Sequence, residues 1–241
     1  MEGTATTGPW YHTIELPSGE VTPGLFDHRP VLQKYGLPPK LEGKRVLDVG
    51  TFDGFFAFEF ERRGAAEVVA LDVPEPGAMD WPTPLRRTGT GMARSYDNFD
   101  VAHSALGSRV TRERLPVYEA STERLGTFDL IFVGSLLVHL RDPVGALMAL
   151  HEICAGELWL ADAVSRTLDI VGRGRPLAQM RGASGKLEWW LPNRAALRDC
   201  MDAAGFVDIH AGPRFTVPFR AQRGGIAHAV LRGRPGGPVS P

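Results

Sequence analysis

The sequence predicts an α/β fold with a mostly parallel seven-stranded sheet, helices on both faces and an antiparallel C-terminal hairpin. Three observations predict it. Short apolar runs such as Val46-Leu47-Asp48-Val49 and Val68-Val69-Ala70-Leu71 recur along the chain, with helix-spaced apolar stretches between them. Two glycines, Gly50 and Gly54, stand where the first run gives way to a helix-spaced run. At the far end, apolar runs at residues 206–210 and 226–232 follow one another without a helical pattern between them. Strands alternating with helices argue a parallel sheet, and the last pair adds an antiparallel edge.

Residues 1–40 form an N-terminal arm or lid. Trp10-Tyr11-His12-Thr13-Ile14-Glu15-Leu16 alternates loosely and meets turn residues at Pro17-Ser18-Gly19, and Thr22-Pro23-Gly24 is a second turn. A little helix is expected at residues 31–35. So aromatic a segment should pack over the main domain and cover its site. The catalytic domain runs from 41 to 235. Its first strand is 45–49, and helix 55–63 follows, with Phe56 and Phe60 four apart and Gly64 placed to end it. Strand two, 67–72, ends in Asp72. Residues 73–92 carry many Pro, Gly and Thr, and a loop of that length suits a functional cover. A helix is expected from about 93 to 106, strand three at 115–119 and strand four at 128–133. Asp142-Pro143 opens a helix to about 153, because Asp caps and Pro fits the first helical position. Strand five is 157–161. Residues 164–191 read as a polar, basic loop ending in Trp189-Trp190, and Pro192-Asn193 caps a helix to about 205. The tail, 236–241, is expected to be disordered.

The 241 residues suffice for one sizeable core. A formal net charge of −1 provides no global basic field for nucleic acid or an anionic membrane. No apolar run approaches a membrane span, and no secretory leader is visible, which together with two unpaired-looking cysteines points to the cytoplasm. Cys154 and Cys200 lie in apolar surroundings without a C-x-x-C pattern, so no metal site is expected.

The chemistry lies at the glycine turn. A helix N-terminus and backbone N–H groups there suit a nucleotide, and an acid about 20 residues on, at the tip of strand two, suits ribose hydroxyls. In Gly50-Thr51-Phe52-Asp53-Gly54 a Phe occupies the middle position of the dinucleotide glycine motif, which blocks the closest approach a pyrophosphate needs. No G-K-[ST] phosphate loop is present. The turn favours an adenosine ligand without a phosphate chain.

The V-L-D-V-G-x-x-x-G pattern with its strand-two acid resembles motif I of class I S-adenosylmethionine-dependent methyltransferases, which implies a Rossmann-like sheet and S-adenosyl-L-methionine as cofactor. FDLIFVGSLLVHLRDP at 128–143, WYHTIEL near the start, and W-x-P-N before A-G-F are similar to the branch that includes tRNA wobble-uridine methyltransferases and small-molecule relatives from biosynthetic clusters. Relatives often carry an Asp where this chain has Ser135. The resemblance implies that Asp48, Gly50, Phe52 and Gly54 line the methionine end of the cofactor and that Asp72 holds the ribose. It implies that Glu119, Ala120 and Ser121 flank the adenine, and that Gly134 and Ser135 face the sulfonium and the acceptor.

Methyl transfer from a sulfonium is an in-line displacement, so alignment and exclusion of water dominate, and a base helps when the acceptor is O–H or N–H. Among seven histidines, His139 follows strand four at the edge where ligands bind in such sheets, and His12 lies in the arm; both are candidate bases. His151, His210 and His228 are expected in structural or surface settings. Trp189 and Trp190 are either a wall of the acceptor pocket or anchors of the loop, with one of them expected to face the pocket; Trp10 and Tyr11 have the same two readings, and Arg181 in the basic loop is a candidate contact.

These residues point to a small-molecule O- or N-methyltransferase, as in bacterial natural-product biosynthesis. The alternatives are a tRNA wobble-uridine modifying enzyme, in which a basic loop would grip an anionic group or a carboxylated cofactor, and a cofactor-binding enzyme that does not methylate, such as a cyclase. Nucleic acid is the less expected partner.

Overall fold

The computed structural model describes residues 9–84 and 97–237. Its seven-stranded sheet is built from β1 (Arg45–Val49), β2 (Glu67–Asp72), β3 (Thr111–Arg114), β4 (Phe128–Gly134), β5 (Cys154–Ala163), β8 (Phe206–Pro218) and β9 (Gly225–Pro235), and a separate two-stranded ribbon contains β6 (Ala178–Met180) and β7 (Trp190–Pro192). The strand order is β3-β2-β1-β4-β5-β9-β8. The first five are parallel to one another, whereas β9 runs antiparallel to both β5 and β8. The expected sheet with its antiparallel C-terminal edge is the one observed.

Side-chain alternation splits each central strand between two cores. Leu47, Val49, Ile131, Val133, Leu158 and Leu160 point to one face, where they meet Leu147 and Leu150 of α4 (Pro143–Glu152) and Leu197 and Met201 of α6 (Arg194–Ala203). Val46, Val68, Leu130, Phe132 and Trp159 point to the other face. There they meet α1 (Phe55–Arg62), α2 (Asp97–Leu106) and the arm, through Phe56, Phe60, Phe99, Ile14 and Tyr35. Asp142 and Asn193 cap α4 and α6 as expected, accepting from the N–H groups of Gly145 and Ala196 at 2.8 and 2.9 Å.

Several elements differ from the sequence expectation. β3 is earlier and shorter than 115–119: its last residue, Arg114, pairs with Asp72, Pro116 has no N–H to extend the ladder, and Val117–Glu119 turns into a 3₁₀ helix. A four-residue helix, α3 (Thr122–Leu125), precedes β4. The segment 164–191 is not a plain loop. It holds α5 (Arg166–Gly172), capped by Ser165 accepting from the Leu168 N–H at 3.2 Å, and the β6–β7 ribbon. The terminal hairpin is far longer than the apolar runs, because β8 is an edge strand that tolerates Pro213 and passes two register irregularities. Of the expected tail, Gly236 donates to the Gly205 carbonyl at 2.9 Å, and 238–241 lie outside the described residues, as do 93–96 of the expected helix.

The arm packs by backbone as well as aromatic contact. His12 bridges Phe26, Phe26 bridges Phe219 beyond β8, and a 3₁₀ helix at Arg29–Tyr35 plants Tyr35 under α1. Gly54, at φ +91°, caps α1, and a Cβ there would lie 2.5 Å from the Phe58 ring and 2.9 Å from Phe99. Gly54→Ala is therefore expected to cost about 3 kcal/mol in urea unfolding, combining a left-handed strain with overpacking. Gly19→Ala, at φ +84° with nothing within 4 Å, should cost only about 1 kcal/mol.

Candidate active site

The carboxyl ends of β1, β2 and β4 open into a cavity of about 280 Å³. That edge is where open α/β sheets bind ligands. From the strand ends come Asp48, Gly50, Thr51 and Phe52, then Asp72 and Val73, then Gly134, Ser135 and Leu136. The arm contributes Tyr11, His12, Leu25, Phe26 and His28, and the loop after β2 contributes Met79, Asp80 and Trp81. Val138, His139 and Leu140 follow β4, the segment before β7 adds Leu187 and Glu188, and the hairpin adds Val217, Ile226 and His228.

The turn after β1 is shaped by buried carboxylates that accept hydrogen bonds. The Thr51 hydroxyl and the Ala57 N–H both donate to Asp48 Oδ2, at 2.8 and 3.1 Å. The N–H of Phe52, a non-glycine residue at φ +54°, donates to Asp72 Oδ2 at 3.0 Å, and the Val73 N–H donates to Asp72 Oδ1 at 2.8 Å. Gly50, at φ +74°, is pinned by its N–H to the Leu71 carbonyl at 2.8 Å. Asp53 faces the arm: the N–H groups of Tyr11 and His12 donate to its Oδ2 at 2.6 and 2.8 Å. Phe52 carries the Tyr11 ring at 4.6 Å between centroids. Burial pushes the Asp48 carboxyl up to about 7, against the Thr51 and Ala57 bonds that favour its charged form. Asp162, wholly buried on β5, is also pushed up to about 7 by burial; it accepts from the Leu137 N–H at 2.7 Å and so holds the turn that carries His139.

Two hydrogen-bonded pairs stand deeper in. His28 Nδ1 and the Tyr35 hydroxyl are 2.7 Å apart, and His228 Nε2 and Ser135 Oγ are also 2.7 Å apart. Burial holds His28 well below the usual histidine range, with His12 and His228 adding to the effect, and burial lowers His228 to about 4.

The expected site residues divide. Tyr11, His12, Asp48, Gly50, Phe52, Asp72, Gly134, Ser135 and His139 share the cavity wall. Gly54 lies behind the turn, against Phe58 and Phe99. Glu119, Ala120 and Ser121 lie outside the lining: β3 ends early, Glu119 pairs with Arg124 at 2.6 Å, Ala120 is buried and Ser121 precedes α3. Trp10 is buried in the aromatic core. Trp189 and Trp190 serve as anchors, their indole N–H groups donating to the carbonyls of Asp80 and Leu137 at 2.6 and 3.2 Å, and their neighbours Leu187 and Glu188 reach the cavity instead. Arg181 donates its backbone N–H to the Trp189 carbonyl at 2.7 Å and is not in the lining. His228, expected in a structural or surface setting, lines the cavity, as does His28. Their places come from strand register and the fold of the arm, which no local pattern announces. Asp53 had a signal: an acid beside the N-terminus of α1 is placed to take N–H donors.

Asp53→Ala removes the acceptor for two arm N–H groups. It is expected to lower the unfolding free energy by about 2 to 3 kcal/mol and to speed proteolytic nicking near Pro17-Ser18-Gly19. A carboxyl raised from 3.8 to about 7 on folding favours the fold while protonated, and that contribution is lost as pH rises through 7. His28 and His228, held low by burial, act in the opposite sense, so in denaturant unfolding at pH 5 and pH 8 the wild type should lose stability toward pH 8 relative to Asp48→Asn and to Asp162→Asn.

A family model described as a methyltransferase domain matches residues 29–211. Among curated proteins, the tRNA U34 carboxymethyltransferase of Pseudomonas aeruginosa is 33% identical over 175 residues, covering 70% of this chain and 47% of the relative. That of Cronobacter sakazakii is 27% identical over 173 residues, covering 70% and 46%. The chain thus spans about half the length of these relatives. Among solved structures, the N-terminal domain of EvdMO1 with S-adenosylhomocysteine bound is similar at a TM-score of 0.60 and 17% identity, covering 94% of this chain and 92% of that one. Burkholderia thailandensis 1,6-didemethyltoxoflavin-N1-methyltransferase is similar at a TM-score of 0.53 and 18% identity, covering 81% and 72%.

Proposed function

The chain belongs to the methyltransferase-domain family, as a class I S-adenosylmethionine-dependent methyltransferase, and we propose that it methylates an O or N of a small, largely apolar molecule, in bacterial natural-product biosynthesis. One observation carries the reading: the cavity sets carboxylates among aromatic walls. Asp48, Asp72, Asp80 and Glu188 supply carboxylates, and no Lys or Arg occurs among the described lining residues. That donor set fits a ligand bearing a sulfonium, an ammonium and ribose hydroxyls, and fits a phosphate chain poorly. It also supports the plain cofactor over a carboxylated one.

In this reading Asp72 takes ribose hydroxyls, since each carboxylate oxygen accepts more than one bond. Asp48 and Gly54 act through the turn they shape. Gly50, Phe52 and Gly134 border the methionine end, and Ser135 faces the acceptor. When bound, the cofactor supplies a methyl group on a positively charged sulfur. The protein aligns the acceptor with it and excludes water. The described part of the arm, residues 9–40, serves as the cover, with Tyr11 and Phe26, 5.0 Å apart, as a wall. His12 and His139 are the candidate bases. His139 Nδ1 lies 3.2 Å from the Leu187 carbonyl, so the neutral ring donates there and Nε2 is its basic nitrogen. Aromatic walls support an aromatic acceptor, and a neighbour of this fold solved with 1,6-didemethyltoxoflavin bound is consistent with that reading.

The relatives' names favour a second reading, transfer to the wobble uridine of tRNA. Binding and transfer separate the two. Isothermal titration should show S-adenosylhomocysteine binding that Asp72→Ala weakens at least about tenfold, the loss of a charge-assisted hydrogen bond. Label from methyl-tritiated S-adenosylmethionine should enter phenols or anilines and not bulk tRNA. Absence of binding would sink the cofactor site, and salt-sensitive labelling of tRNA would establish the second reading.

A further inference from the structure

The Ser135–His228 pair has a direction. Ser135 follows β4 with φ +51°, an unusual conformation for a side-chain-bearing residue, and its N–H donates to the Ala161 carbonyl at 2.8 Å, which fixes the backbone. Its Oγ lies 2.7 Å from His228 Nε2. His228 is 3% exposed and its ring stacks on Phe215, 6.1 Å between centroids at 21°. Its Nδ1 is 2.9 Å from the Ile226 carbonyl. A carbonyl oxygen only accepts, so Nδ1 carries the hydrogen. A second proton on Nε2 would place an imidazolium in a buried setting, which opposes it and lowers the ring to about 4. Nε2 is therefore an acceptor, and among the described residues the proton it receives is that of the Ser135 hydroxyl. A serine hydroxyl has one donor and two lone pairs. With the donor turned to His228, the side presented to the cavity only accepts.

We propose that Ser135, oriented by His228, is a specificity subsite that accepts a hydrogen bond from a polar hydrogen of the acceptor, and so selects phenol- or amine-bearing molecules over the same molecules with that hydrogen replaced. The inference rests on the reading that the cavity receives an acceptor beside the cofactor. His228 is here a positioning residue, acting through Ser135. The subsite lies beside apolar Ala163, Val217 and Ile226, so the selected group sits on a largely apolar frame. A ligand without a donor leaves the hydroxyl oxygen facing apolar surface, which costs about as much as one hydrogen bond.

The test uses the whole protein saturated with S-adenosylhomocysteine, with phenol and anisole as probes whose dissociation constants are read by ligand-detected NMR at millimolar concentration. Phenol is expected to bind about tenfold more tightly than anisole, the worth of one buried hydrogen bond. Ser135→Ala should bring the two probes to equal affinity. His228→Gln, whose Oε1 can receive the Ser135 proton in place of Nε2, should keep the preference. His228→Phe leaves the hydroxyl free to turn its proton into the cavity and should abolish it. Equal affinities in the wild type, no phenol binding, or a preference that survives Ser135→Ala would each overturn the subsite. Titration of S-adenosylhomocysteine into the same proteins keeps the two readings apart. Its failure to bind the wild type removes the cofactor reading and the subsite with it. Binding without a phenol preference removes the subsite alone.

Discussion

The turn between β1 and α1 visits left-handed backbone at Gly50, Phe52 and Gly54, and three carboxylates hold it there. Asp48 ties the turn to the first residues of α1, Asp72 ties its middle to β2, and Asp53 ties it to the arm. Non-glycine residues rarely adopt that conformation without compensation, and the Phe52 N–H bond to Asp72 is the compensation in view. The cavity inherits its shape from this arrangement. Its floor is the turn, its near wall is Phe52 with Tyr11 upon it, and the arm that lines it is attached to the turn's own acid. Removing one carboxylate therefore reaches beyond one hydrogen bond.

Burial then decides which polar groups carry charge. Asp48 and Asp162 are sealed among strand ends and rise, while His28 and His228 are sealed among aromatic rings and fall. Both shifts move toward neutrality, as desolvation requires. His28 and His228 are thereby neutral, directional hydrogen-bonding groups beside aromatic rings. Among the described residues, the carboxylates Asp80 and Glu188 stand with Trp81 and Leu187 on segments outside the main sheet.

Much of the sheet was legible in the chain because central parallel strands are apolar on both faces and end at glycine or acid. Residues 45–49 and 67–72 are strands with those bounds. The Asp142 and Asn193 caps were legible for a local reason too, since capping involves a side chain and an N–H three residues on. Edge elements were harder. β3 has the pattern Thr-Arg-Glu-Arg, with little apolar signal, and the longer apolar-looking stretch behind it contains Pro116. β8 was obscured by Pro213 and by register breaks that spoil alternation. The Trp189-Trp190 pair looked like a cavity wall, yet indole N–H groups need partners when buried, and the two carbonyls that satisfy them lie to the side.

By itself the sequence determined the alternation of strands and helices, the glycine turn and the acid after β2, because each rests on contacts within a few residues or on the repeat of one strand–helix unit. Only the tertiary structure decided which distant polar residues meet in and around the cavity. His228 lies 93 residues from Ser135, Asp53 lies 41 from His12, and Tyr35 reaches His28 beneath α1. Such pairs depend on the register of β9 against β5 and on the path of an arm with little regular structure. Neither leaves a periodic trace in the chain, because the residues that meet are set by where the backbone turns, and not by their neighbours in sequence.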